Sequence, residues 1–277
     1  MPGAAPWTLR IARLARLALH LARGLAITMT RYPRLSPAAQ REEVRRWSRQ
    51  MLSILSVKLD AGNAPAFLPP RCMLVMNHVS WLDVFIINAW TPATFIAKSE
   101  VRDWPLIGAL CVRTGTLFIE RGRRAAVRHA NAAITEAITR GELVAVCPEG
   151  TTTFGDTLEP FHAALLQPAI AAGAVLQPVA LRYADAQGRR SIAAAYVGET
   201  SLLGSIWSLV SARELVAGLV FTAPLPTAGR ERRGLARDAE AAIAAALGVA
   251  APARTGVTGS PNTPGNPPAP DGDPPDG

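Results

Sequence analysis

Lysine is almost missing from this chain: Lys58 and Lys98 are the only two among 277 residues. Arginine therefore carries the basic charge, and 29 Lys+Arg against 21 Asp+Glu give a formal net charge of +8. Such an excess directs a protein to an anionic surface, either membrane or nucleic acid, and where the arginines fall decides between them. Cysteine is scarce as well. Cys72, Cys111 and Cys147 are odd in number, widely spaced and set in apolar stretches. That excludes a disulfide framework and reads as reduced core residues in a cytosolic compartment. No HExxH, CxxC or glycine-rich phosphate loop occurs, so no intrinsic metal or nucleotide site is expected. Nor is there a GxSxG elbow, which counts against a serine hydrolase built on Ser80. Long apolar runs are also missing. A hydrophobic fraction of 49% and a mean hydropathy of +0.17 mark the apolar end of soluble proteins, without the spans of a polytopic membrane protein.

What is present divides into three regions by composition. Residues 1–65 are helical and arginine-rich, residues 66–249 alternate short apolar strands with helical segments, and residues 250–277 are a tail of Pro, Gly, Asn and Asp expected to be disordered. In the first region, Trp7 to Arg31 placed on a helix puts Arg10, Arg13, Arg16, His20, Arg23 and Arg31 within one arc of roughly 140°. Leu9, Ile11, Leu14, Leu17, Leu21, Leu25 and Ile27 occupy the rest. Charges at this spacing exclude a signal-peptide core. A broad apolar face opposite an arginine stripe is the pattern of a helix lying in a bilayer interface. Ser36 to Leu59 reads as a second helix, opened by a Ser-Pro cap and carrying Trp47, Met51, Leu52 and Leu55 at helical spacing. The two make a membrane-docking element, and with no basic groove interleaved with aromatics, nucleic acid is not an expected partner.

In the middle region the spacing predicts strands at Cys72 to Asn77, Thr94 to Ala97, Thr116 to Ile119, Leu143 to Cys147, Val175 to Arg182, Ile192 to Val197 and Leu215 to Phe221. Helices are expected at Trp81 to Trp90, Arg123 to Thr139, Phe161 to Ala172 and Arg230 to Leu247. The alternation defines an α/β fold, a mixed β-sheet covered by helices on both faces.

Three segments carry residues suited to chemistry. NHVSWLDVF sets His78 just past a strand and Asp83 in the first turn of the following helix. A carboxylate there can accept a hydrogen bond from one ring nitrogen, fix the tautomer and free the other nitrogen to take a proton from a hydroxyl. GTLFIER, Gly115 to Arg121, ends a strand with an acid and an arginine. CPEGTTT, Cys147 to Thr153, ends another with a glycine turn whose N–H groups and hydroxyls suit a phosphate or a carbonyl oxygen. His162 opens a predicted helix and reads as a site-lining or capping residue.

With these blocks in order, the chain resembles the glycerolipid acyltransferase family typified by 1-acyl-glycerol-3-phosphate acyltransferase. NHVSWLD stands for its NHxxxxD block, AKSEVRDWPLIG for the following segment, GTLFIER for GxxFIDR, PEGT for EGTR and QPVAL for its proline-containing strand. The resemblance implies His78 as general base and Asp83 as its orienting partner. It further implies Arg121, helped by Lys98, on an acceptor phosphate, with Gly115, Glu149, Gly150 and Thr151 shaping the acceptor site. It implies acyl transfer from acyl-CoA or acyl-carrier protein, without a cofactor, to 1-acyl-glycerol-3-phosphate, forming phosphatidic acid. The implied location is the cytoplasmic face of the inner membrane, held peripherally or monotopically among membrane lipids. Two positions depart from the family: Glu120 replaces an Asp, and Thr152 replaces an Arg. The second removes a phosphate contact and keeps open another acceptor, such as a lyso-ornithine lipid.

Overall fold

The computed structural model describes residues 4–104, 106–119 and 124–252. Both the Pro/Gly-rich tail from 253 onward and the Glu120–Arg121 pair lie outside the described residues.

A seven-stranded sheet of order β1-β7-β6-β2-β5-β3-β4 forms the centre. Its strands are β1 (Val57–Asp60), β2 (Cys72–Met76), β3 (Thr94–Lys98), β4 (Leu117–Ile119), β5 (Val144–Val146), β6 (Val175–Ala184) and β7 (Leu215–Phe221). Pairings are parallel except between β6 and β7, so β1 and β7 run against the other five. The period of two along each strand sorts side chains to opposite faces. Leu74, Met76, Ala145, Val179 and Leu181 face one core. It is covered by α1 (Trp7–Thr30), α2 (Pro37–Ile54), α3 (Asp83–Trp90) and α7 (Leu202–Ser211). Met73, Val75, Val144, Val146 and Leu176 face the other. There α5 (Arg124–Thr139), α6 (Gln167–Ala171) and α8 (Arg232–Leu247) cover the sheet. The expected mixed α/β sheet with helices on both faces is the observed fold.

Several elements differ from the sequence expectation. The second helix stops at Ile54, and residues 57–60 pair with β7 as an edge strand, so the sheet begins inside the region read as docking element. Only the distant partner, Leu215 opposite Val57, makes a strand of that segment. Residues 192–197 form no strand, because β6 is already flanked by β2 and β7. Phe161 to Ala172 is a 3₁₀ turn at Ala163–Leu166 followed by the five residues of α6; Pro168, which has no N–H to give, sits in its first turn. Two helices, α4 (Ile107–Arg113) and α7, had no counterpart in the sequence reading.

Ser36 caps α2 as its Ser-Pro signal implies, accepting a hydrogen bond from the Ala39 N–H at 3.4 Å. The arginine stripe of α1, however, does not stand free. Arg13 and His20 are buried among Leu17, Gly24 and Thr28, on the side that packs against the domain. The Arg13 guanidinium donates to the carbonyls of Val210, Ala212 and Arg213 at 2.9, 2.5 and 3.0 Å and to Ser56 Oγ at 2.5 Å. His20 stacks on Trp47 with ring centroids 4.5 Å apart. A planar fork of donors suits this bundle of carbonyls, and Arg13 pins α1 to the end of α7. Arg13→Ala is therefore expected to destabilise the fold by about 2–4 kcal/mol, since it strands buried acceptors. A urea unfolding midpoint lowered at constant m-value would show this.

Candidate active site

β2, β5, β3 and β4 are mutually parallel, so their carboxyl ends meet at one edge of the sheet, where open α/β folds assemble their sites. Asn77 ends β2. Its Nδ2 donates to the Leu181 carbonyl at 2.9 Å and its Oδ1 accepts the Leu181 N–H at 2.7 Å. The side-chain amide thus takes over the pairing of a backbone unit and lets the main chain bend away from β6. His78 follows at the bend, its N–H donating to Glu149 Oε1 at 2.6 Å and its carbonyl accepting the Thr153 N–H at 2.9 Å. The next carbonyl, that of Val79, accepts the Tyr196 N–H at 3.0 Å. The loop after β5 and the segment around Tyr196 fix the histidine backbone from two sides.

The side chain is fixed as firmly. Asp83, fully buried at the start of α3, places Oδ2 2.8 Å from His78 Nδ1. The same oxygen accepts the N–H groups of Val79 and Ser80 at 2.8 and 3.0 Å. Its other oxygen, Oδ1, accepts the Tyr183 hydroxyl at 2.7 Å. With Nδ1–H committed to a carboxylate, Nε2 holds the free lone pair. The imidazole is 26% exposed, enough for a substrate hydroxyl to reach it. Burial opposes its protonation, but Cys147 together with the hydrogen bond and charge of Asp83 more than offset that, leaving the His78 pKa well above the usual histidine value. Burial also pushes the Cys147 thiol up, against the opposing effect of His78.

The remaining expected residues divide. Glu149 is buried, and its carboxylate bridges the N–H groups of His78 and Glu159, the latter at 2.8 Å. Desolvation raises its pKa to about 7 against those two donors. It braces the turn rather than reaching into open space. Gly150, at φ 69°, allows the turn that follows Pro148. Thr151 is exposed at that turn, and Lys98 is exposed at the carboxyl end of β3, on the His78 edge. Gly115 is not brought to that edge. It precedes β4, level with Thr94, and so lies about 16 Å below His78 along the strand direction. Thr152 gives its hydroxyl to the Tyr196 carbonyl. His162 is exposed, and its side chain makes no capping bond to the 3₁₀ turn it precedes. Ser80 is fully buried with Oγ accepting the Leu82 N–H at 3.2 Å, which removes it as a nucleophile.

Sequence reasoning missed Tyr183, Asn77 and Cys147. Cys147, read as a plain core residue, stands beside His78 at the end of β5 and acts on its pKa. Tyr183 lies 100 residues from Asp83, and nothing local marks it. Tyr183→Phe removes a donor from a buried carboxylate that would still hold three others. It is expected to lower kcat by about tenfold with KM little changed, the scale of losing a bond that orients a catalytic group. Steady-state kinetics across a pH series would check this. A fall confined to thermal stability would mark Tyr183 as structural only.

An open cavity of about 1340 Å³ lies on the α3 face of the sheet. Trp81, three residues past His78, lines it together with Phe85, Met51, Leu21, Leu110 and Pro92. Gly115 also borders the cavity.

A histidine–aspartate pair stands at the carboxyl edge of an α/β sheet, beside a cavity lined largely by apolar residues, and such a pair can take a proton from a hydroxyl. Residues 62–182 match the model of the Acyltransferase family. The 1-acyl-sn-glycerol-3-phosphate acyltransferase of Neisseria meningitidis is 36% identical over 202 residues, 73% of this chain and 79% of that protein. The lyso-ornithine lipid O-acyltransferase of Pseudomonas aeruginosa is 37% identical over 254 residues, 89% of this chain and 96% of that protein. The crystal structure of the 1-acyl-sn-glycerophosphate acyltransferase of Thermotoga maritima shares the fold, with a TM-score of 0.58 at 17% identity over 86% of this chain and 96% of that one. The chain belongs to the Acyltransferase family.

Proposed function

We propose that the protein transfers a fatty acyl chain from acyl-CoA or acyl-carrier protein to the free sn-2 hydroxyl of 1-acyl-glycerol-3-phosphate, forming phosphatidic acid. The observation that carries the reading is the His78–Asp83–Tyr183 chain, with Nδ1 tied to a buried carboxylate and Nε2 left for a hydroxyl. Nε2 takes the hydroxyl proton as the oxygen attacks the thioester carbonyl. The tetrahedral intermediate then collapses, the carbon–sulfur bond breaks, and the imidazolium returns the proton to the departing thiolate. The cavity that Trp81 lines receives an acyl chain. Among the described residues no helix is long and apolar enough to cross a membrane. The exposed side of α1, which carries Trp7, Ile11, Leu19 and Met29, rests on the bilayer in this reading. The protein then works as a peripheral enzyme on the cytoplasmic face of the inner membrane, where thioester donors are found.

One observation favours a second acceptor. Thr152, at the position of the family's arginine, spends its hydroxyl on the Tyr196 carbonyl and leaves nothing there for a phosphate. A lyso-ornithine lipid, the substrate named for the Pseudomonas relative, makes no such demand. The two are separated by offering labelled palmitoyl-CoA, and the matching acyl-carrier protein, to purified protein in mixed micelles with each acceptor. His78-dependent phosphatidic acid supports the first reading and acylated ornithine lipid the second. Free coenzyme A without acylated lipid would indicate hydrolysis. No turnover with either acceptor or donor, from folded protein, would overturn both.

A further inference from the structure

The α1 surface has a neighbour of the same character. Helix α7 carries no charged residue, and its two sides are unlike. Ser205, Leu209 and Val210 are fully buried, whereas Leu203 and Trp207, one turn apart and so on the same side, are 79% and 47% exposed. Large exposed apolar side chains paired on one helix face are unusual on a soluble surface and mark a contact site.

That face is continuous with α1. The Ala5 N–H donates to the Ser211 carbonyl at 2.9 Å, Arg13 holds the end of α7, and the Arg10 guanidinium lies over the Trp207 ring, 5.5 Å from its centroid. On α1, Trp7 and Ile11 flank Arg10 at 72% and 50% exposure, with Arg16 and Arg23 exposed along the far edge and no acidic residue in the helix. Within the two helices every charged residue is an arginine, set beside exposed apolar side chains. That is the charge pattern complementary to an interface of anionic lipid headgroups above acyl chains.

Its inner side meets the site. Ser205 Oγ accepts the Trp81 indole N–H at 3.0 Å, and Leu202 and Ile206 line the cavity together with Leu21 and Met29 of α1. Part of the cavity wall is therefore made by the two helices whose outer faces are apolar.

We propose that α7 is a second bilayer-docking element, seating Leu203 and Trp207 in an anionic membrane beside α1 so that this wall of the cavity lies against the lipid. The inference deepens the lipid-acyltransferase reading and shares its assumption that the acceptor comes from the bilayer.

The test uses the full chain with flotation on vesicles of phosphatidylethanolamine and phosphatidylglycerol, a readout that needs no turnover. The double variant Leu203→Ser with Trp207→Ser is expected to partition about tenfold more weakly. Acylation of an acceptor embedded in the same vesicles should fall in parallel, while acylation of that acceptor in detergent micelles is retained. Leu203→Trp, with its thermal unfolding midpoint unchanged, is expected to partition more tightly. Unchanged partitioning of both variants would overturn the proposal and leave docking to α1 alone. Weakened partitioning of a protein that acylates no lipid in vesicles or micelles would uphold the docking surface and overturn the acyltransferase reading instead.

Discussion

His78→Ala is expected to lower kcat for acyl transfer by about 10²–10⁴-fold, the range contributed by a positioned general base. An alcohol hydroxyl holds its proton at neutral pH and attacks a thioester poorly until something accepts that proton. Nε2 of His78 is the group set out to do so, because Nδ1 is already bound to Asp83 at 2.8 Å. The fold should survive the change. The imidazole is 26% exposed, and Asp83 Oδ2 keeps the Val79 and Ser80 N–H groups as donors after the ring is gone. Transfer kinetics beside a thermal unfolding curve would check both halves. Full activity in a folded His78→Ala protein would remove the mechanism, and an inactive but unfolded one would reassign the histidine to structure.

Asp83→Asn should cost nearly as much, and it carries a pH signature. An asparagine can keep its carbonyl oxygen on His78 Nδ1 and the two N–H groups and turn its amide toward the Tyr183 oxygen, so the geometry is conserved while the charge is lost. The base is then less well stabilised as an imidazolium in the transition state, and kcat is expected to fall by about 10²–10³-fold. In the wild-type protein the His78 pKa is raised well above its usual value by Cys147 and Asp83, against burial. Only the neutral ring accepts a proton, so wild-type activity should climb as pH rises through that elevated pKa, above the ordinary histidine range. Removing the Asp83 charge lowers the pKa and moves the climb to lower pH. The stability counterpart has the same sign. A histidine with a raised folded-state pKa adds stability that is fully present below its unfolded pKa and is lost as pH rises through the folded one. Asp83→Asn should flatten that loss. A pH profile of kcat/KM and denaturant unfolding at several pH values would check both.

Legibility from sequence followed the reach of each contact. The His78–Asp83 pair spans five residues across one strand-to-helix turn, so its spacing alone places the two groups together. The Ser36 cap is equally local, and the strands were readable as short continuous apolar runs, which the structure buries on both faces. The stripe on α1 was readable as a pattern but not as an orientation. Helical geometry puts Arg13 and His20 on the same side as Arg10, but only packing against α7 and Trp47 buries them and leaves Arg16 and Arg23 outside. A helix cannot state from its own sequence which part of a mixed face its neighbours will satisfy.

The sequence by itself determined the α/β class, the ordered blocks of the family and the spacing that sets His78 against Asp83. The tertiary structure decided what completes the site. Tyr183 closes on Asp83 from β6, Cys147 approaches His78 from β5, and Glu149 turns inward to hold the His78 backbone. It also decided that Gly115 borders the cavity before β4, that residues 57–60 form an edge strand, and that α7 stands beside α1. These contacts join segments tens to hundreds of residues apart, and their energy comes from burying apolar faces and satisfying polar groups only after the chain has closed. No periodicity or cap records them beforehand, whereas a five-residue turn carries its geometry within itself.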